Sequence, residues 1–191
     1  MNAIILNGAG GNDQAAERIH AVLLDELAVA SWKVTSLSLE TLRIAPCLGC
    51  FECWTRSPGV CRMDDDGREI AKSVIRSDVT ILFTPVTFGG YSAELKKALD
   101  RLICLITPFF VKINGEVHHR QRYRHYPRLL GIGILDQPDP DSERVFETLV
   151  HRNALNLHAP THNVAVLHTS RKMEEHRDTI RWMRTAMEGI N

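Results

Sequence analysis

The run Val79-Thr80-Ile81-Leu82-Phe83-Thr84-Pro85 is the feature that most constrains this chain. A strand that is apolar almost throughout must be covered on both faces, which in globular proteins means the interior of a parallel sheet flanked by helices. The rest of the sequence repeats that logic. Residues 3–7 (AIILN) read as a second buried strand, after which Ile19, Val22, Leu23 and Leu27 recur at helical spacing. In 33–39, Val34, Ser36 and Ser38 alternate with Thr35, Leu37 and Leu39, the pattern of a sheet edge. Further strands are expected at 129–135 and 164–168. Helices are expected over 67–76, from Ser92 with Leu95, Leu99, Leu102 and Ile106 on one face, over 142–157, and over 171–190 with Ile180, Met183, Met187 and Ile190 inward. Asp66-Gly67-Arg68-Glu69 has the form of a capping box with Asp66 as N-cap. Five strands alternating with five helices define an α/β fold: a three-layer, doubly wound, five-stranded parallel sheet.

One insertion, 107–127, breaks the alternation between the third helix and the fourth strand, and inside it Asn114-Gly115 separates two β-prone runs. That pair predicts a hairpin projecting beyond the sheet. At 191 residues the chain suits a single domain, 1–191. Lys plus Arg (23) equals Asp plus Glu (23), so the footprint of a dedicated binder of nucleic acid or anionic membrane is missing. The longest apolar run, 102–111, is about half the ~20 residues of a membrane span, and Pro108 interrupts it. The start of the sequence has no basic region and too short an apolar stretch for a secretory signal, so a cytoplasmic location with free or ligated thiols is expected.

In open parallel sheets, ligands bind beyond the carboxyl ends of the strands. The first such loop holds Gly8, Ala9, Gly10, Gly11, Asn12 and Asp13. Its glycine amides can approach an anion, and the helix beginning near Asp13 points the positive end of its dipole there. Such a turn also stands on structural grounds alone. The glycines miss the G-x-G-x-x-G spacing, so a dinucleotide fingerprint is not supported. The loop after the third strand, with Pro85, Val86, Thr87, Phe88, Gly89 and Gly90, is apolar and aromatic enough to lie flat against a planar ring. Asp136, with Gln137, follows the fourth strand and is a candidate for the ring edge.

Cys47, Cys50, Cys53 and Cys61 fall within fifteen positions, and a fifth cysteine, Cys104, stands apart. A C-x2-C-x2-C run wraps three thiolates round one face of a cubane, and the longer step through Pro58 and Gly59 brings back a fourth, as a [4Fe-4S] cluster requires. Zinc sites usually pair two short cysteine hairpins across a wider gap. Small buried hydrophobes packed by Phe51 and Trp54 are the structural alternative. The basic run 118–125 reads as a solvated or subunit-contacting face, or as Arg120, Arg122 or Arg124 receiving the phosphates of a pyridine nucleotide. Asp64-Asp65-Asp66 reads as a helix N-terminus rather than a metal site. His168 reads as a structural strand-end residue, and no protein side chain is assigned as a catalytic acid or base.

Pro85-Val86-Thr87-Phe88-Gly89-Gly90-Tyr91-Ser92-Ala93-Glu94-Leu95-Lys96, followed by Asp100-Arg101, resembles the flavin-facing segment of the NAD(P)H-dependent FMN reductase family. Pro46-Cys47-Leu48-Gly49-Cys50-Phe51-Glu52-Cys53-Trp54, with Pro58-Gly59-Val60-Cys61, resembles the iron-sulfur flavoprotein branch of that flavodoxin-like family. The resemblance implies a flavodoxin-like fold that binds FMN, accepts electrons from NAD(P)H and passes them to a small-molecule or protein acceptor, with a [4Fe-4S] cluster as a possible relay. It also implies a homodimer or higher homo-oligomer, as does the hairpin, which is expected to expose Phe109, Phe110, Val111 and Ile113. Three positions depart from the family pattern. Ala9 and Asp13 stand where a hydroxyl and a basic residue are usual, and Thr87 replaces a Tyr beside the flavin. The rival readings are a flavodoxin-type electron carrier, which a neutral chain suits poorly, and a flavin-less binding or regulatory protein.

Overall fold

The computed structural model describes residues 1–113 and 115–188. In chain order the elements are β1 (Asn2–Asn7), α1 (Gln14–Val29), β2 (Lys33–Ser38), α2 (Glu52–Thr55), α3 (Asp66–Arg76), β3 (Val79–Pro85), α4 (Ala93–Arg101), β4 (Ile106–Ile113), β5 (Glu116–Gln121), β6 (Arg128–Leu135), α5 (Pro140–Asn156), β7 (His162–His168) and α6 (Met173–Glu188), with 3-10 turns at Leu39–Thr41 and Leu102–Leu105. The main sheet has the order β2-β1-β3-β6-β7 and every pairing in it is parallel. This is the 2-1-3-4-5 winding of flavodoxin-like folds, in which the strand order reverses between β1 and β3.

Alternation along each strand feeds two cores. In β1, Ile4 and Leu6 point into the layer made with Ile70, Val74, Leu95 and Phe146, while Ala3 and Ile5 join Ile19, Leu23, Ile180 and Met183 on the other face. In β3, Leu82 serves the first layer, and Val79, Ile81 and Phe83 serve the second. Every residue from Val79 to Thr84 is buried, which accounts for the unbroken apolar run. Each fully buried Leu, Ile or Phe contributes about 1.5–3 kcal/mol of transfer free energy. Of the two threonines in this stretch, Thr80 meets the hydroxyl of Ser77 at 3.3 Å and Thr84 Oγ1 accepts from the Ser92 amide at 3.0 Å. β2 lies at the edge as expected, but its burial does not follow one face: Val34 and Leu37, on opposite faces, are the two half-buried residues, each packing on a different core.

Several boundaries differ from the sequence expectation, each for a local reason. The third helix stops at Arg101, a 3-10 turn follows, and Ile106 opens a strand instead of extending the helical face. Pro108 disfavours helical geometry at the residue before it, so the chain extends there. The N-cap of α3 is Asp65, one residue earlier than expected, because its Oδ1 accepts from the Gly67 amide at 3.1 Å while Asp66 accepts from the Arg43 amide at 2.7 Å. α2 is a short helix inside the segment that reads as irregular, entered through Phe51 in left-handed backbone. α5 begins at Pro140 behind the Asp139 cap, where proline needs no hydrogen-bond partner. β4 and β5 form the expected antiparallel hairpin, with Ile113 opposite Glu116 and Gly115 at φ +90°. Asn114 and Ile190, singled out by the sequence, lie outside the described residues.

Helix α5 packs so closely on β6 that a Cβ at Gly131 would stand 2.6 Å from Val150 Cγ2. Gly131→Ala is therefore expected to destabilise the protein by roughly 1–3 kcal/mol, read as a lowered urea midpoint at unchanged slope.

Candidate functional site

The loops after β1, β3 and β6 leave neighbouring strands at one edge of the sheet. In the first, Gly8 is fixed by packing: its amide donates to the Phe83 carbonyl at 2.8 Å, and its carbonyl accepts from the Ser92 hydroxyl at 2.8 Å. A Cβ on Gly8 would lie 2.5 Å from Ser92 Oγ and 2.8 Å from Leu95 Cβ. Gly10 and Gly11 are different. Added Cβ atoms there would find only Glu40 Oε2, at 3.8 and 3.5 Å.

The amides of this loop already hold oxygens of the chain itself. Gly11 N donates to Glu40 Oε2 at 2.6 Å, Ala9 N to Asn7 Oδ1 at 2.9 Å, and Asp13 Oδ1 caps α1 by accepting from Ala15 N and Ala16 N at 3.1 and 3.0 Å. Asn12 beside them is exposed. A carboxylate oxygen resting on the Gly11 amide shows that the loop receives anions. Glu40 escapes sequence reasoning because it is 29 positions from Gly11. The available signal is register: Asn7 pairs with Ser38, so residues just beyond β2 land beside the loop after β1.

The second loop closes through reciprocal backbone bonds, Thr87 N to Gly90 O at 3.0 Å and Gly90 N to Thr87 O at 2.8 Å, while Val86 N donates to Ile134 O at 2.9 Å. Pro85 ends β3 opposite Ile134. At the tip, Phe88 has φ +51° and is 100% exposed, and Gly89 at φ +76° sits where a Cβ would be 2.7 Å from Val145 Cγ1. Left-handed backbone on a phenylalanine costs about 1–3 kcal/mol, and its ring gains no compensating burial within the chain. The loop thus holds an aromatic face out beyond the sheet edge. Asp136, after β6, is tied to the loop after β7 by Thr169 Oγ1 at 3.1 Å, and His168 Nε2 meets Glu143 at 2.9 Å.

Cys47, Cys50, Cys53 and Cys61 line one pocket together with Arg101 and Met63. Cys53 is buried, Cys61 is half-buried, and Cys47 and Cys50 are exposed. Left-handed residues Gly49 (φ +63°), Phe51 (φ +57°) and Gly59 (φ +87°) turn the backbone round the pocket. Among the described residues, no three or more His, Cys, Asp or Glu converge on a single-ion position.

Arginines fix this segment. Arg101, 1% exposed, forks onto Asp65 with both contacts at 2.8 Å and also donates to the carbonyls of Ala45 at 2.8 Å and Met63 at 3.4 Å. Among the described residues its Nε is buried without a hydrogen-bond partner. Asp65 hydrogen bonding, together with the nearby Cys61, holds the guanidinium above its ordinary value. Burial pushes the Asp65 carboxyl up, but Arg101 and the amides of Ala45 and Gly67 reverse this, leaving it below the usual range. Arg68 Nε donates to Cys61 O at 2.8 Å, and Arg122 Nε donates to Cys104 O at 2.9 Å. Arg122 is thus committed to the fold. Burial pushes the Cys53 thiol up, with the other three thiols adding to the shift. Cys104 lies behind, donating to Arg101 O at 3.3 Å, and burial pushes its thiol up to about 12.

The hairpin exposes Phe109 (67%), Phe110 (65%) and Val117 (68%), whereas Val111 and Ile113 are half-buried. His119 lies 4.8 Å from both Phe110 and Trp54, and Trp54 stacks on Phe51 at 5.2 Å, joining the hairpin to the cysteine segment.

Residues 1–123 match the family described as NADPH-dependent FMN reductase. The chain belongs to that family. Among curated proteins it is 38% identical over 78 residues to an iron-sulfur flavoprotein of Methanocaldococcus jannaschii, covering 41% of this chain and 39% of that one. It is 29% identical over 100 residues to an iron-sulfur flavoprotein of Methanosarcina thermophila, covering 52% and 51%. These matches span about half or less of the relatives' length. Among solved structures, an NAD(P)H:quinone oxidoreductase from Methanothermobacter marburgensis superposes with TM-score 0.69 at 14% identity, covering 98% of this chain and 95% of that one. An FMN-dependent NADH-azoreductase from Bacillus anthracis, solved with FMN, superposes with TM-score 0.67 at 10% identity, covering 98% and 97%. At such identities the superpositions establish the flavodoxin-like fold that this family member shares with them.

Two outcomes follow for the cysteine pocket. With a thiol pKa near 12, Cys104 is about one part in ten thousand thiolate at pH 8, so iodoacetamide followed by peptide mapping should label exposed Cys47 and Cys50 and spare Cys104 in the folded protein. Arg101→Met strands the buried Asp65 carboxylate and should cost about 3–5 kcal/mol in urea unfolding. Because the folded Asp65 pKa is lowered, its contribution is present above the ordinary carboxylate range and is lost as pH falls through the depressed value. Asp65→Asn should accordingly flatten the acid limb of the stability profile.

Proposed function

We propose that the protein is an FMN-dependent oxidoreductase that takes electrons from NAD(P)H and delivers them to a small-molecule or protein acceptor, with a [4Fe-4S] cluster held by Cys47, Cys50, Cys53 and Cys61. The observation that carries this reading is the placement of α4. Its N-cap Ser92 adjoins the aromatic loop, and its last residue, Arg101, forms a wall of the cysteine pocket. Nine helical residues separate the two by about 13 Å along the axis.

When bound, FMN supplies the hydride acceptor and the conversion of a two-electron input into single-electron steps. The chain's own residues supply position and charge. Pro85, Val86, Thr87, Phe88, Gly89 and Gly90 form the platform for the flavin ring, with Asp136 at its edge, and Gly8, Ala9, Gly10, Gly11, Asn12 and Asp13 form the cradle at the phosphate end. Four thiols line this one pocket, the ligand set that a [4Fe-4S] cubane takes. A thiolate-ligated cluster is anionic, and buried Arg101 with its unused Nε supplies a counter-charge and a donor at the pocket wall. Arg120 and Arg124 are the residues of the basic run proposed to meet the phosphates of the pyridine nucleotide. A second copy of the chain is proposed to cover Phe109, Phe110 and Val117, an apolar patch unfavourable in water.

Protein purified anaerobically should show flavin and iron-sulfur absorption together, yield FMN on heat denaturation, and contain about four iron and four acid-labile sulfide per chain. It should oxidise NAD(P)H with a quinone or ferricyanide and run as a dimer in light scattering. Near-zero iron and sulfide after reconstitution would remove the cluster from this reading. Reduction only by a partner protein would favour an electron carrier.

A further inference from the structure

We infer that Glu40 is a built-in competitor for the flavin phosphate, so that this site selects its flavin by the ring and takes riboflavin about as readily as FMN. The inference rests on the flavin reading above and adds what the phosphate end of the site selects. Its basis is the occupancy of the loop. The Gly11 amide is taken by Glu40 Oε2 at 2.6 Å, Ala9 N by Asn7 Oδ1 at 2.9 Å, and the amides of Ala15 and Ala16 by Asp13 Oδ1 at 3.0–3.1 Å. An incoming phosphate must displace Glu40 before it gains the Gly11 amide.

Charge acts in the same direction. Residues 7–13 contain no Lys or Arg, and among the described residues neither Glu40 nor Asp13 has a cation within ion-pair distance. A dianionic phosphate therefore meets two carboxylates with no ion-paired side-chain cation beside them, and like charges repel. The open space round Gly10 and Gly11, where a Cβ would meet nothing within 4 Å but Glu40 among the described residues, is the space the phosphate would enter. Glu40 is exposed and lies in the 3-10 turn after β2, so its side chain can leave without disturbing the sheet. Asp13 cannot leave as cheaply, because it caps α1. Glu40 is thus the adjustable element.

The test is equilibrium binding of FMN and of riboflavin to the full chain, read by quenching of flavin fluorescence, in the wild type, Glu40→Ala and Glu40→Gln. Comparing the two flavins isolates the phosphate. The wild type should bind them within about threefold of each other. Glu40→Ala should tighten FMN about tenfold while leaving riboflavin unchanged, and Glu40→Gln, which keeps a bond to Gly11 N without the charge, should fall between. A wild-type preference for FMN above about tenfold, equal shifts for both flavins in Glu40→Ala, or weaker FMN binding in that variant would each overturn the inference while leaving the flavin reading intact. Binding of neither flavin by any of the three proteins would overturn both.

Discussion

A guanidinium and a carboxylate buried together lose several kcal/mol of hydration apiece, and only close geometry with further hydrogen bonds offsets that cost. Arg101 and Asp65 have such geometry, and much of the molecule depends on where it places things. Asp65 caps α3, Arg101 ends α4, and the same guanidinium holds the carbonyls of Ala45 and Met63, which flank the cysteine segment. One buried pair therefore ties two helices to both ends of the segment that carries four thiols. With the backbone clamped from beneath, left-handed turns at Gly49, Phe51 and Gly59 can present the cysteines to a common pocket.

The two halves of the site are built on different principles. At the sheet edge, the loop after β1 packs against α4 so tightly that only glycine fits at position 8, and the neighbouring loop holds Phe88 in a strained, fully exposed posture. Rigid packing there positions a surface for an apolar ring. Nearby, the amides of Ala9, Gly11, Ala15 and Ala16 hold the chain's own side-chain oxygens, and of these Glu40 is an exposed side chain while Asp13 is a helix cap. α4 connects these regions, beginning beside the ring platform and ending at the cysteine pocket.

What the sequence reveals here is what is local. The apolar run of β3 and the periodicity of the helices made the sheet legible because burial on two faces or one stripe writes directly into residue order. The glycine loop and the aromatic loop followed from the rule that places ligands at the carboxyl ends of strands. What stayed hidden is what depends on distance along the chain. Arg101 finds Asp65 across 36 positions and Glu40 finds Gly11 across 29, and no periodicity marks either pair. Arg122 read as a free basic residue because its commitment to the carbonyls of Cys104 and Ile106 exists only in three dimensions. The early end of α4 was obscured by an apolar run that serves a 3-10 turn from Leu102 and a hairpin strand from Ile106.

The central claim is that electrons entering at the sheet edge reach the cysteine pocket through a flavin held between them. Electron paramagnetic resonance of anaerobic, iron-sulfur-reconstituted protein after addition of NADPH, with and without FMN, tests it most directly. The account predicts a reduced-cluster signal approaching one spin per chain in the presence of FMN and little without it. A signal of equal size without FMN, or none in its presence from protein with a full iron and sulfide content, would contradict it.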